Sequence, residues 1–161
     1  MSFQKVIENT PLLKNAFEKG LKALGSNSSK VKPLDTSKCE GSVDIDTAVK
    51  SIYPNASRWD YAVSYDGKTY FIEVHSAKTD EVNCFQNKLQ WLKDFLINDA
   101  PELNQEPKSF HWIASNGNHI LPSSVQARKL AQKGITIDKQ LTIPIVVRNN
   151  YQSGSKRNHG R

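Results

Sequence analysis

Apolar positions along the chain recur with two distinct periods, one helical and one extended. Val82, Phe85, Leu89, Leu92 and Leu96 repeat at steps of three and four, with Trp91 and Phe95 widening one side of the stripe, which predicts an amphipathic helix over 82–96. A second helical stripe runs through Leu12, Leu13, Ala16, Phe17, Leu21 and Leu24, with Thr10 as N-cap, Pro11 in the first helical position and Gly25 as the stop. Shorter helical patterns occupy Phe3–Glu8, "DIDTAVKSIYP" with Asp46 as cap, and "SSVQARKLAQKG" with Ser123 or Ser124 as cap and Gly134 as stop. Extended patterns rich in aromatic and β-branched residues predict strands over 59–65 and 68–75, a third at "KSFHWIAS", and a late one at "LTIPIVVR" whose Pro144 favours an edge or a bend. The order of helix, paired strands, helix, strand, helix, strand implies one small mixed α/β domain over 1–147. "SNSSKVKPLDTSK" between the patterns is an aperiodic loop, and the basic tail 148–161 has little to bury and is expected to be disordered.

The two paired strands carry an acid each. Asp66-Gly67 is a favoured pair for a two-residue hairpin turn. With Tyr65 opposite Lys68, Asp60 falls opposite Glu73, Trp59 opposite Val74, Tyr61 opposite Ile72 and Val63 opposite Tyr70. One face is then aromatic and aliphatic, and the other carries Asp60, Ala62, Ser64, Phe71, Glu73 and His75. Opposed like charges destabilise a sheet. Two adjacent carboxylates therefore either share a proton or hold a cation, and an oxygen-rich pair completed by water and phosphate suits Mg²⁺. A turn one residue longer or shorter would instead send one carboxylate to the opposite face, and an open strand end would leave both solvated.

The helix over 82–96 adds a cation. On its wheel Lys88 projects between Phe85 and Leu92, inside the apolar arc, where an ammonium either finds a buried partner or snorkels to water along its own stem. Gln86 lies at the other margin of that arc, as a substrate contact or a boundary residue.

Composition narrows the setting. The net charge of +6 over 161 residues is concentrated at the ends, with seven Lys against three acids in 1–38 and four Lys or Arg with no acid in 148–161. Basic flanks around a near-neutral centre suit a polyanion, or simply a solvated surface. No window is apolar enough to span a membrane and no secretory signal opens the chain, so no membrane contact and a cytoplasmic location are expected. Cys39 and Cys84 lack metal or redox spacing and are expected to be free thiols.

An Asp early in one strand, Glu or Asp two residues before a Lys at the end of the next, and a helix after it form the pattern of the PD-(D/E)XK nuclease superfamily. Over about residues 40 to 115 the chain resembles that pattern in Asp60, Glu73 and the helix from Val82. The resemblance implies a restriction-endonuclease-like α/β fold, a mixed four-stranded sheet flanked by helices. It also implies Mg²⁺ or Mn²⁺ held by Asp60 and Glu73, and cleavage of phosphodiesters in nucleic acid, with DNA the expected partner. His75, in "FIEVH", stands where the family has its lysine. Some members displace that lysine to the neighbouring helix, which matches Lys88; Lys78 is the second choice, and His75 itself would orient or deprotonate a water. The family often adds a Glu from its first helix, for which Glu18 and Glu40 are the candidates. Nucleases of this fold often pair to cut both strands, so a homodimer or a larger protein partner belongs to the expectation. Two rival readings remain: a nuclease-like binding module without cleavage, and a small protein-interaction domain with Tyr53, Trp59 or Trp112 gathered in an exposed patch.

Overall fold

The computed structural model describes residues 1–145; the tail 148–161 and the last residues of "LTIPIVVR" lie outside the described residues. Six strands form a mixed sheet: β1 (Glu18–Lys19), β3 (Cys39–Asp44), β4 (Tyr61–Tyr65), β5 (Lys68–Lys78), β6 (Lys108–His119) and β7 (Thr136–Asp138), in the order β1-β3-β4-β5-β6-β7. The β1/β3, β3/β4 and β4/β5 pairs are antiparallel, and β5/β6 and β6/β7 are parallel. Parallel neighbours need a crossover. Helix α3 (Val82–Asn98), followed by the short α4 (Pro101–Asn104), supplies the first, and α5 (Val125–Gln132) the second.

Six strands replace the expected four: the late strand at "LTIPIVVR" stays out of the sheet, β3 forms in a stretch not expected to be a strand, and two-residue β1 and three-residue β7 add an edge on each side. Both are too short for a period of two to register in the sequence. Helices α1 (Phe3–Glu8), α3, α4 and α5, with α2 (Ile45–Val49), pack on one face over Ala62, Phe71, Trp112 and Ala114. The other face, with Val63, Tyr65, Tyr70, Ile72 and Ile113, is covered by β2 (Val31–Pro33) and β8 (Leu141–Ile143), a separate parallel pair, and by the turns of Lys22–Lys30. That division matches the alternation expected for the hairpin.

Three further expectations fail, the first being the loop over 26–38, which carries 3-10 turns on either side of β2. Between Thr10 and Gly25 there is no α-helix: a 3-10 turn at Pro11–Leu13 gives way to β1, then to 3-10 turns over Lys22–Lys30 that break at Gly25. Gly20 and Gly25 take φ of 53° and 54°, outside any right-handed helix, and Phe17 turns to pack on Phe3 with ring centroids 6.1 Å apart. Trp59 does not join the face of Tyr61 opposite Val74. β4 begins only at Tyr61, and the free Trp59 swings to the helix side, its centroid 5.5 Å from Phe85 and 6.5 Å from Phe110.

Candidate active site at the mouth of the hairpin

The hairpin turn has the geometry that Asp66-Gly67 favours, with φ of 48° and 81°, and pairs Tyr65 with Lys68. The expected register therefore holds through Tyr61 and Ile72, the last ladder pair. One step further the two carboxylates replace the ladder. Asp60 N–H donates to Glu73 Oε1 at 3.1 Å, and Val74 N–H donates to Asp60 Oδ2 at 3.0 Å, so each acid caps the other's strand. Both side chains thus stand together on the helix side of the sheet.

Three neighbours hold this arrangement. The Asp60 carbonyl accepts from Ile45 N–H at 2.8 Å, at the start of α2, whose N-cap is Asp44 and not the expected Asp46. Asp46 instead binds Arg58 Nε at 2.7 Å, while Arg58 also donates to the Tyr53 carbonyl at 2.7 Å. The carbonyl of Arg58 in turn accepts from Lys88 Nζ at 3.2 Å. Lys88 thus crosses from α3 to the hairpin mouth, where Nζ lies 2.9 Å from Glu73 Oε2. Its stem is not snorkelling: the ammonium has a buried carboxylate to meet.

Burial dominates the electrostatics. Glu73 is 0 % exposed. Loss of hydration, then the charge of Asp60, outweighs the ammonium of Lys88 and raises its pKa from 4.5 to about 8. Asp60 is also pushed up, first by burial and further by Asp46 and Asp44, against the Val74 N–H and Lys88. Burial opposes the charge on Lys88, yet Glu73 and Asp60 together hold its pKa above the ordinary value.

The donor set fits a hard divalent cation. Glu73 Oε2 is buried and has no directed hydrogen bond, the ammonium meeting it as an ion pair only. Of Asp60, only Oδ2 is engaged by a backbone donor. Two carboxylate oxygens are few for Ca²⁺ but suffice for Mg²⁺, which keeps several of its waters. Among the described residues no group of three or more His, Cys, Asp or Glu side chains is placed to hold a metal, so water and substrate would complete the shell.

The remaining candidates lie elsewhere. His75 is turned away, with Nδ1 3.0 Å from Glu81 Oε2 and Nε2 3.8 Å from Cys84 Sγ. Lys78 is the exposed last residue of β5, beside His119 in register. Glu40 is the second residue of β3, at a bulge, and accepts from Gln4 N–H of α1 at 2.9 Å, a helix-pinning contact. Glu18 sits on β1, not on a helix, and lines a cavity of about 510 Å³ with Lys14, Lys22, Asp44 and Thr47. Gln86 keeps its buried Nε2 without a partner, on the margin of α3 away from Lys88. Sequence reasoning missed Arg58 and Asp44 and gave Asp46 the role of cap; the only signal was the Asp-x-Asp start of α2, which does not say which acid caps it.

Trp59 and Trp112 are fully buried, and Tyr53 packs edge-on against Trp91 at 5.7 Å, so these aromatics form no exposed patch. No described helix is long and apolar enough to cross a membrane. Comparison of the chain with family models, curated proteins and solved structures found no match.

Proposed function

We propose that the hairpin mouth is the centre of a metal-dependent phosphodiesterase acting on nucleic acid, in the manner of the PD-(D/E)XK nucleases. The observation that carries this reading is Glu73. A fully buried carboxylate set beside a second acid costs the fold stability, and an ammonium from another element is brought within 2.9 Å of it. Such costs are kept at sites that use them.

Asp60 and Glu73 would hold Mg²⁺ or Mn²⁺ through the oxygen of Asp60 that no backbone donor takes and through Oε2 of Glu73. A bound ion supplies charge neutralisation at phosphate and a water of lowered pKa. Lys88, held by the Arg58 carbonyl, supplies a fixed positive charge beside the attacking water and the phosphate oxygens, in the place of the strand lysine that His75 replaces. The Lys-rich N-terminal segment contributes phosphate contacts, which position the substrate without reading its sequence. DNA is the first substrate to test, with a homodimer one way to reach both strands.

The test is incubation of the purified chain with supercoiled, linear and single-stranded DNA and with RNA, in Mg²⁺, Mn²⁺ or EDTA. Cutting is expected only with metal, to vanish in Asp60→Ala, and to fall by about 100-fold or more in Lys88→Ala. Cutting that survives Asp60→Ala contradicts the reading. A second reading, a nuclease-like domain that binds without cleaving, draws on the same ion pair: Lys88 already balances Glu73, and no third acid joins the pair among the described residues. Metal-independent binding of nucleic acid by every variant, with cutting by none, would establish it.

A further inference from the structure

A cavity of about 510 Å³ opens where the 3-10 turn Pro11–Leu13, the turns that begin at Lys22 and helix α2 meet. The phosphodiesterase reading leaves it unused. Its size falls within the roughly 300–1,000 Å³ of small-ligand sites. Half-buried Leu12, Ala16, Ala23 and Ala48 give it apolar walls. The fold fixes those walls: Ser42 Oγ of β3 accepts from Ala23 N–H at 3.0 Å, and Leu12, Ala16 and Ala48 pack on the core of the helix side.

The polar groups of the cavity divide into those already matched and those that are not. Glu18 lies 3.8 Å from Lys22 Nζ, and Asp44 accepts from Thr47 N–H and Thr47 Oγ, both at 2.9 Å, so each acid has its partner within the chain. Lys14 and Asn15 are exposed on the cavity wall, and among the described residues Lys14 makes no ion pair and the Asn15 carboxamide no hydrogen bond. One ammonium and one carboxamide beside an apolar slot are therefore left to meet a ligand. An ammonium suits phosphate, a carboxamide suits the donor and acceptor edge of a base, and aliphatic walls suit the faces of a flat ring. A nucleotide has all three parts. The position agrees: Asp44 lies opposite Tyr61 in the ladder, and the next residue, Ile45, donates its N–H to the Asp60 carbonyl at 2.8 Å, so the cavity adjoins the strand end that carries Asp60.

We propose that this cavity receives one unpaired nucleotide of the substrate, next to the phosphate that is cut, so that the chain acts where a strand is single and not on continuous duplex. A base within a duplex has to leave its stack and its partner to enter a side cavity, a cost that an unpaired nucleotide does not bear. Lys14 meets the phosphate of that nucleotide and Asn15 the edge of its base. The place of the cut rests on the phosphodiesterase reading; the binding of a nucleotide does not.

The experiment begins without catalysis, in EDTA. Deoxyadenosine monophosphate added to the isotope-labelled chain should shift the nuclear magnetic resonance signals of the Asn15 carboxamide and of the Thr47 and Ala48 amides in a saturable way, and inorganic phosphate should not reproduce those shifts. Equal shifts with phosphate alone, or none at millimolar nucleotide, overturn the proposal. By fluorescence anisotropy a single-stranded oligonucleotide should bind about tenfold or more tightly than the duplex of the same sequence. Asn15→Ala should weaken the single strand alone, by about fivefold, the worth of a hydrogen bond. Lys14→Ala should weaken it more than Lys133→Ala, which removes the same charge at the end of α5, across the sheet. All three side chains are exposed, so none of these changes threatens the fold. Equal affinity for single strand and duplex, or equal weakening of both by Asn15→Ala, overturns the proposal. With Mg²⁺, cutting should favour the single strand, and Asn15→Ala should reduce that preference. A nucleotide bound in the cavity of a chain that never cuts upholds the site and refutes the phosphodiesterase reading; cutting of both substrates alike, by the native chain and by Asn15→Ala, refutes the site and leaves that reading standing.

Discussion

Glu73→Gln isolates the energetic claim at the hairpin mouth. Glutamine keeps the shape of the side chain and its contact with Asp60 N–H but carries no charge at any pH. In the native chain the acid has its pKa raised from 4.5 to about 8. The folded state therefore holds a proton that the unfolded state has released, and stability falls as pH rises from the lower value through the upper. Each unit is worth about 1.4 kcal/mol, so the loss between about pH 5 and pH 9 reaches roughly 5 kcal/mol at most, before relaxation of the pair reduces it. Equilibrium urea unfolding in EDTA at a series of pH values measures it. The native chain should lose several kcal/mol across that range and Glu73→Gln should lose little, so that the variant is the more stable protein at about pH 9. Because a divalent ion needs the ionised pair, Mg²⁺ should stabilise the native chain more at about pH 8 than at pH 6. Parallel pH profiles for the two proteins would refute the reasoning.

Three further outcomes follow from the same geometry. His111, 2 % exposed between the hydroxyls of Ser109 and Thr136, has its pKa lowered to about 4, first by burial and then by Lys68. Its contribution is complete above the unfolded value of 6.5 and is lost as pH falls through about 4, roughly 3 kcal/mol in acid unfolding curves, and His111→Gln should remove that slope. Gly41→Ala places a methyl group into the Phe17 ring and 2.8 Å from the Glu18 carbonyl, and should cost about 1–3 kcal/mol in thermal or urea unfolding by prising β1 from β3. Asp44→Ala removes the N-cap of α2, which receives Thr47 N–H at 2.9 Å, and should cost about 1 kcal/mol in the same measurement while loosening the Asp60 backbone that α2 holds.

The parts of this fold that were legible from residues alone are those where local chemistry leaves one solution. Asp66-Gly67 admits a two-residue turn, and with the turn set, the period of two carries Asp60 to Glu73 without further information. Lys88 was legible because an ammonium inside an apolar arc has few places to go. Leu12 to Leu24 misled for the converse reason. Its apolar spacing suits a helix, but Phe17 gains more by packing on Phe3, and Gly20 permits the backbone turn that lets β1 pair with β3. Tertiary contacts won over a weak local preference. Trp59 misled because alternation binds only residues inside the ladder, and β4 starts two residues later. The scaffold of Arg58, Asp46 and the Asp60 carbonyl was out of reach, since each contact joins segments whose proximity only the fold creates.

A titration with Mn²⁺ followed by electron paramagnetic resonance reaches the central claim without depending on any choice of substrate. One ion per chain is expected in the native protein near pH 8, with binding weakened at pH 6 as Glu73 takes up its proton, and lost in both Asp60→Asn and Glu73→Gln. Full-strength binding in Asp60→Asn, or no bound ion at millimolar Mn²⁺ in the native chain, would contradict the account.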